Sequence, residues 1–380
     1  MIKIKSDKII IGENLFNGFI YLKDGKIFSV STSDETAEEF YDLTGKYVSA
    51  GFIDIHTHGA GGYAFMDSSY QDVIKGCEFH LKHGTTSIVP TISACDFQTM
   101  KKSVADISRA KKSGLCKANI LGAHLEGPYL SEKQSGAQSA DFLTPPIKEE
   151  YTELIKEYKG DISRWTYAPE KDINGEFCKY CTQNGIVASA GHTDAKYKDM
   201  VVAENNGLRL VTHLYSCTST VTRNKGFRSL GVIESAFLSD ELFVEIIADG
   251  KHLPAELIKM IIKIKGIDKV ALITDSLEIA GTDIKEGVMS GTEFIVEDGV
   301  CKLKDRSAFA GSVATADTLI KTLVFDCGFT IPCAVKMMTE VPAKIFGLNK
   351  GSIKTGLDAD IIAFDENINI EKIFVGAKIV

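Results

Sequence analysis

The chain lacks the features that mark membrane, secreted and nucleic-acid-binding proteins. No apolar run in its 380 residues approaches the roughly 18 residues that a membrane helix needs. The residues from Met1 to Lys5 contain no apolar core and no small-residue cleavage site, so no signal peptide is predicted. Lys and Arg total 43 against 51 Asp and Glu, and a net charge of −8 argues against a nucleic-acid partner. We therefore expect a cytoplasmic protein that acts on a small molecule.

Cysteine is present but has no regular spacing. The nine cysteines are scattered from Cys77 to Cys333, and an odd number without a framework is typical of reduced thiols in a cytoplasmic enzyme. Cys178 and Cys181 form a single C-x-x-C pair on a predicted helix. Because the second pair that a zinc site would need is absent, we do not interpret this pair as a metal site.

The hydrophobic pattern predicts an α/β protein. Residues 1–50 contain short β-rich segments with a hairpin turn at Asp24-Gly25, and residues 351–380 return to β character. Between residues 51 and 350, about eight short apolar strands alternate with amphipathic helices. We therefore predict a (β/α)8 TIM-type barrel over residues 51–350, with a small β-sandwich domain formed by both chain termini. The barrel strands named from the pattern are 87–90, 118–125, 185–190, 208–212, 243–248 and 269–274.

Histidine is scarce, and five of the eight histidines lie at or beside predicted strand ends. His56 and His58 form an H-x-H motif whose side chains point to the same face of a strand, so the two imidazoles could hold one divalent cation. The alternative is a polar pair on an exposed strand edge. His124 and Glu126 share a face in the same way, although Glu126 alone could be a surface or helix-capping residue.

Three more polar residues directly follow apolar strands. His192 and His213 are 21 residues apart, the length of one βα repeat, and Asp275 ends a late strand. Each alone could be structural, and Asp275 could cap the next helix. As a set they indicate a metal centre at the carboxyl ends of the barrel strands, where barrel enzymes place ligands. Beside a metal, Asp275 would be a ligand, a general base or both.

Two weaker signals concern substrate binding. Arg223, Lys225 and Arg228 lie in a polar loop, which is either solvated or the local anion site. His252 follows another apolar strand and could reach a substrate or merely belong to a turn.

Taken in order, these motifs resemble the N-acetylglucosamine-6-phosphate deacetylase family of the amidohydrolase superfamily, over nearly the whole chain. The segments that carry the resemblance are 51–54 with the H-x-H, His83-Gly84-Thr85-Thr86, 124–128, 191–195, 212–215, Asp249 to His252, Thr274-Asp275 and Ala310-Gly311-Ser312. The resemblance implies a metal-dependent hydrolase that converts N-acetylglucosamine 6-phosphate to glucosamine 6-phosphate and acetate.

The resemblance also implies roles for single residues. The main metal would be held by Glu126, His192 and His213. His56 and His58 match those members that carry a second metal, so one or two divalent ions per subunit are implied, with zinc or iron expected first. Manganese and cobalt also suit such ligands.

For the chemistry and the substrate, the resemblance implies a further set. Asp275 would be the general base and then the general acid, and His252 would help to hold the sugar phosphate, often across a homodimer interface. Ala310, Gly311 and Ser312 match a substrate-binding motif.

The chain departs from the family at two places that concern the substrate. After Tyr215 the family usually reads Asn-Ala-Met, whereas this chain reads Ser216-Cys217-Thr218. The loop that follows is rearranged, so Arg223 and Arg228 both remain candidates for the phosphate-binding arginine.

The second departure follows the Glu126 motif. The family has Gly-Ala-His there, and this chain has Gly136-Ala137-Gln138. Gln138 can still donate a hydrogen bond to an acetyl carbonyl, but it cannot carry a charge. One alternative is therefore another amidohydrolase that acts on a related N-acetyl sugar or amide. A non-enzymatic barrel homologue is the other, and such proteins tend to lose ligands that are all present here.

Overall fold

Eight parallel strands form a nearly closed barrel, which confirms the predicted fold class. The fold comes from a computed structural model that describes residues 1–289 and 292–380. Each barrel strand pairs in parallel with its neighbour in the order of the chain. The strands are Phe52–Thr57, Thr85–Ile92, Ala123–Glu126, Ile162–Tyr167, Val187–Ala190, Leu210–Val211, Phe243–Ile246 and Val270–Leu272, with Asn119–Ile120 also paired to the second.

Hydrogen bonds between the first and last strands continue the ring. The Asp275 N–H donates to His56 O at 2.9 Å, just beyond the end of the last strand. Below it, Thr274 Oγ1 donates to Asp54 Oδ2 at 2.6 Å, and both side chains are fully buried. These contacts fix His56 and Asp275 side by side at one end of the barrel.

The helices pack outside the barrel, and some begin at a residue whose side chain accepts from their free N–H groups. Asp96 accepts hydrogen bonds from the N–H groups of Gln98 and Thr99 at 3.0 Å, and Gly114 ends that helix at φ 68°. Within residues 1–289 and 292–380, none of the helices is long and apolar enough to cross a bilayer. The α-helices are Tyr70–Lys82, Phe97–Ser113, Lys148–Glu157, Glu176–Gln183, Tyr197–Asn205, Val232–Leu238, Ala255–Lys265, Ala316–Lys321, Ile331–Met338 and Glu340–Phe346.

A separate sheet combines both ends of the chain, as the sequence predicts. Tyr47–Ala50 pairs antiparallel with Ile361–Phe364, so the N-terminal and C-terminal strands are continuous. The predicted turn at Asp24 and Gly25 has positive φ at both residues, 50° and 76°, as a tight hairpin requires. The eight strands are Ile2–Ile11, Asn14–Lys23, Lys26–Ser31, Glu39–Asp42, Tyr47–Ala50, Ile361–Phe364, Ile370–Val375 and Lys378–Ile379.

Three smaller sheets lie in loops of the barrel. A three-stranded antiparallel sheet, Glu286–Met289, Thr292–Glu297 and Val300–Leu303, lies between the last barrel strand and the helix Ala316–Lys321. A two-stranded hairpin, Thr222–Asn224 with Phe227–Ser229, follows the sixth barrel strand. Gly59–Ala60 pairs with Tyr63–Ala64 after the first.

Candidate metal centre

A cavity of about 770 Å³ lies at the carboxyl ends of the barrel strands. The predicted chemistry-bearing residues reach it from different strands, so the barrel brings together side chains that are far apart in the sequence. Those that line the cavity are His58, Glu126, His192, His213 and Asp275, with His56 fully buried beside them.

Glu126, His192 and His213 form one group of potential metal ligands. Glu126 Oε1 lies 3.2 Å from His192 Nε2 and 3.0 Å from His213 Nε2, and the two imidazole nitrogens are 3.2 Å apart. All three residues are buried. One carboxylate and two imidazoles facing a common point are a donor set that divalent zinc, iron, manganese or cobalt accepts.

His56, His58 and Glu126 form a second group. Glu126 Oε1 lies 3.3 Å from His56 Nε2, and Oε2 lies 3.3 Å from His58 Nε2. Asp275 Oδ1 is 3.3 Å from His56 Nε2 and 3.2 Å from His58 Nε2. The ligand atoms within each group lie within 4.8 Å of one another. Glu126 therefore faces two neighbouring positions, and the residues fit one or two cations.

Three of these residues have a left-handed backbone conformation, which residues other than glycine rarely adopt. The φ angles are 48° at His192, 26° at His213 and 47° at Asp275. Each lies just after a barrel strand, where the left-handed conformation turns the side chain toward the cavity. Holding a residue in this backbone conformation costs on the order of 1–3 kcal/mol of folding free energy. Such conformations are common at functional sites.

The charges in the cluster balance one another. Burial alone would raise the pKa of Asp275, but His56 and His58 lower it to about 2. Burial alone would lower the pKa of His58, but hydrogen bonds with Asp275 and Glu126 raise it to about 10. Glu126 is likewise held as a carboxylate, because the adjacent imidazoles lower its pKa despite burial. A cation bound here would take the place of protons on the imidazoles.

Gln138 lies against the ligands. Its Nε2 donates to Glu126 Oε2 at 2.7 Å, and its Oε1 accepts from the Ala94 N–H at 2.9 Å. The side-chain amide is therefore fixed in one orientation, with its N–H groups toward the metal centre. Ala137 also lines the cavity.

The residues that replace the usual Asn-Ala-Met segment also lie at the centre. Ser216 and Cys217 line the cavity, and the backbone carbonyl of Ser216 accepts from His213 Nδ1 at 3.1 Å. A Cβ atom at Gly136 would come within 2.4 Å of Cys217 Sγ, and Gly136 has φ 58°. Glycine is therefore required at 136 while Cys217 occupies this place.

His252 lies on the opposite side of the cavity. Its Nδ1 is 2.8 Å from Asp249 Oδ2, and its ring packs on Phe309 with centroids 4.9 Å apart. The hydrogen bond with Asp249 orients the imidazole so that Nε2 is the nitrogen left for a ligand.

The three residues of the Ala310-Gly311-Ser312 segment do not all face the cavity. Ala310 and Gly311 line the cavity. Ser312 is fully buried, its Oγ donates to Thr274 O, and its N–H donates to Asp275 O at 2.8 Å. Ser312 therefore supports the backbone of Asp275 and does not face the cavity.

The structure does not bring Arg223 and Arg228 to the cavity. Both lie on the hairpin Thr222–Asn224 with Phe227–Ser229, where every residue is exposed. Among the described residues, the cavity lining contains no Lys or Arg. Within the described part of the chain, the basic residues at the cavity lining are therefore His252 and three histidines of the candidate ligand groups.

Sequence reasoning missed a buried ion pair beneath the metal centre. Arg164 and Glu245 lie inside the barrel with no exposure, and their side chains form hydrogen bonds with each other. The sequence does contain a signal for the pair, because Arg164 and Glu245 each lie within an apolar segment. A charged residue in a strand that is buried on both faces needs a partner. Arg164 also lies on the strand Ile162–Tyr167, which was not among the strands named from the pattern.

Comparison with known proteins agrees with the geometry. The model of the amidohydrolase family matches residues 47–380. N-acetylglucosamine-6-phosphate deacetylase from Bacillus subtilis (strain 168) is 31% identical over 377 residues, covering 96% of this chain and 93% of the relative. The enzyme of the same name from Haemophilus influenzae is 29% identical over 352 residues, covering 90% and 89%.

Among solved structures, N-acetylglucosamine-6-phosphate deacetylase from Pasteurella multocida superimposes with a TM-score of 0.92 at 28% identity, covering 100% of this chain and 99% of the other. The barrel, the appended sheet and the relatives all lead to one assignment. This chain belongs to the N-acetylglucosamine-6-phosphate deacetylase family of the amidohydrolases.

Proposed function

We propose that this metal-dependent hydrolase removes the acetyl group from N-acetylglucosamine 6-phosphate, which yields glucosamine 6-phosphate and acetate. One observation carries the proposal: Glu126, His192 and His213 converge in a cavity where Asp275 lies beside them. The relatives from Bacillus subtilis and Haemophilus influenzae bear this activity in their names.

A divalent cation held at this centre would lower the pKa of a water molecule and polarise the amide carbonyl. Asp275 is a carboxylate at neutral pH, since its pKa is about 2. Its Oδ1 accepts a proton from the water that adds to the acetyl carbon and then gives that proton to the amine nitrogen as the carbon–nitrogen bond breaks. Gln138 presents fixed amide N–H groups to the same side of the cavity, where charge develops on the carbonyl oxygen.

The phosphate is recognised by a second copy of the chain together with His252. The cavity lining has no Lys or Arg in the described residues, yet Arg223 and Arg228 are exposed on a hairpin that also carries Phe227, 79% exposed. A homodimer that covers this hairpin would bring its cations to the partner's cavity.

We also infer a cytoplasmic location from the nine scattered cysteines, all of which are free.

One experiment tests the assignment. Acetate release is measured from N-acetylglucosamine 6-phosphate, its galactosamine epimer and the two unphosphorylated sugars, with the metal content determined on the same sample. We expect the phosphorylated glucosamine derivative to have the highest kcat/KM. Equal rates with and without the phosphate would contradict the sugar-phosphate assignment and leave only the amide hydrolysis.

A further inference from the structure

A fully buried ion pair lies directly beneath the metal centre. Arg164 and Glu245 are both 0% exposed, and Arg164 Nη2 donates to Glu245 Oε2 at 2.8 Å while Nη1 donates to Oε1. Replacing a buried ion pair by well-packed apolar side chains is often neutral or stabilising. A buried ion pair is therefore weak evidence of a role in stability, and the neighbours of this pair indicate another role.

Arg164 is held in place by groups from several other strands of the barrel. Its Nε donates to Ser189 Oγ at 3.1 Å, Nη1 to Ile55 O at 3.1 Å and Nη2 to Thr212 Oγ1 at 2.9 Å. Because the guanidinium is planar and its donors are fixed, the carboxylate of Glu245 is fixed with it.

Glu245 faces His56, which differs from the other candidate ligands His58, His192 and His213 in one respect. Among the described residues, its Nδ1 atom has no hydrogen-bond partner. Glu245 Oε2 lies 3.7 Å from His56 Nδ1. Within the described residues, neither ring nitrogen of His56 has a hydrogen-bond partner, although the side chain is fully buried. His56 Nε2 points the other way, toward Glu126 and Asp275.

The other three histidines are oriented by groups close to them. The Nδ1 atom of His58 is 3.1 Å from Ser93 Oγ, that of His192 is 3.0 Å from Gln134 O, and that of His213 is 3.1 Å from Ser216 O. A histidine that binds a metal through Nε2 needs its proton on Nδ1, and an acceptor there fixes both the tautomer and the ring. For His56, the carboxylate that faces Nδ1 is that of Glu245, with its Oε2 3.7 Å away.

We propose that Glu245, anchored by Arg164, is a positioning residue that holds His56 with Nε2 toward the cavity and thereby sets the affinity of the second cation position, formed by His56 and His58. The position formed by Glu126, His192 and His213 does not depend on the pair. This inference rests on the proposed function only in that the cluster holds cations, and its test uses no substrate.

The experiment removes both charges together, so that no buried charge is left unpaired. The full-length Arg164→Met/Glu245→Leu variant is stripped with a chelator and titrated with Co²⁺, and bound metal is measured by elemental analysis and by the Co²⁺ absorption spectrum. We expect wild type to bind two cations per subunit. We expect the variant to bind the first with unchanged affinity and the second about 10- to 100-fold more weakly.

A matched control removes a different buried ion pair. Lys350 and Asp360 are joined at 2.6 Å with side chains 9% and 5% exposed, and they contact none of the ligands. The Lys350→Met/Asp360→Leu variant should bind both cations as wild type does, whereas His56→Ala should lose the second. Glu245→Asp keeps the negative charge that Arg164 needs but is one methylene shorter toward His56, so it should show a smaller but equally selective weakening. It covers the case in which the double variant does not fold.

Three results would overturn the proposal: unchanged affinity for the second cation in the Arg164/Glu245 variants, equal weakening of both cations, or a single cation in wild type. A failure of the acetate assay on wild type would instead overturn the proposed function and leave these metal titrations intact.

Discussion

At the scale of single residues, Glu126 belongs to both groups of candidate metal ligands. Its Oε1 faces His56, His192 and His213, whereas its Oε2 faces His58 and accepts from Gln138. A carboxylate with a different neighbour on each oxygen can serve two cations at once. Gln138 therefore contacts the oxygen of Glu126 that faces His58 and not the pair His192 and His213.

The role of Asp275 predicts a selective loss of turnover. Asp275→Asn retains the size of the side chain but cannot accept the proton from water, so kcat should fall by about a hundredfold or more. The measurement is steady-state acetate release, with metal content determined in parallel. A variant that keeps full metal and near-normal kcat would show that another group moves the proton.

The raised pKa of His58 predicts that cation binding releases protons. Hydrogen bonds with Asp275 and Glu126 raise this pKa to about 10, so His58 is protonated at pH 7 in the metal-free protein and must lose its proton to bind a metal. The apparent affinity for Zn²⁺ should therefore increase as the pH rises from 6 to 8.

Proton release can be measured directly with an indicator dye in weakly buffered solution while Zn²⁺ is added. His58→Ala should release at least one proton fewer than wild type. An equal release from both proteins would mean that His58 is already neutral before the metal binds.

At the scale of secondary-structure elements, the helix Ala316–Lys321 is attached to the first barrel helix through Asp317. Asp317 Oδ1 is 3.0 Å from His83 Nδ1, and Oδ2 accepts from Lys321 at 3.1 Å. Burial alone would raise the pKa of Asp317, but His83, Thr315 and Lys321 lower it to about 2.

This lowered pKa predicts an acid-dependent contribution to stability. An unfolded Asp has a pKa of about 3.9, so the contribution, about 2 kcal/mol, is complete above about pH 4 and is lost as the pH falls toward 2. In metal-free protein, Asp317→Asn should lower the free energy of unfolding by about that amount at pH 6 and by much less at pH 2.5. Urea unfolding at the two pH values measures it, and a pH-independent difference would contradict the assignment.

The strand ends were more predictable than the segments between them. Parallel strands meet at one edge, and polar residues at or just beyond the ends of short apolar strands are therefore predictable. This reasoning applies to His56, His58, Glu126, His192, His213 and Asp275. The strand Ile162–Tyr167 was missed because it carries Arg164 within its apolar pattern. Nothing in the pattern linked Arg164 to Glu245, since a pairing across 81 residues is a property of the closed barrel.

The three-stranded sheet between Glu286 and Leu303 was also absent from the prediction. It lies in a barrel loop, and loops vary without disturbing the barrel core. Phe294 of this sheet and Phe309 just beyond it line the cavity, so the shape of the substrate site depends on a segment that periodicity did not mark.

At the scale of the whole molecule, the described residues of one chain place no Lys or Arg at the lining of the cavity, although a phosphate favours cationic partners. If a homodimer supplies Arg223 and Arg228, then Arg223→Ser/Arg228→Ser should raise KM for the phosphorylated sugar at least tenfold and leave kcat/KM for the unphosphorylated sugar unchanged. Lys225→Ser, on the same hairpin turn, is the matched control for a general change in charge.

Mixed dimers distinguish which subunit provides the arginines. When the arginine variant is mixed with Asp275→Asn, each hybrid dimer has one subunit with an intact Asp275, and the partner of that subunit has an intact hairpin. The site of that subunit is complete only if the hairpin acts across the interface. Activity regained on mixing would support that arrangement. No regain, with dimers verified by sedimentation, would place the phosphate site within one subunit.

The shared sheet of the two chain ends affects how the protein is made. The edge of Tyr47–Ala50 is paired only when Ile361–Phe364 has emerged from the ribosome, about 300 residues later. At 5–20 residues per second, that edge stays open for roughly 15–60 s during synthesis. An unpaired strand edge is a site of aggregation, so loss of the last twenty residues would be expected to harm yield in the cell before it harms catalysis.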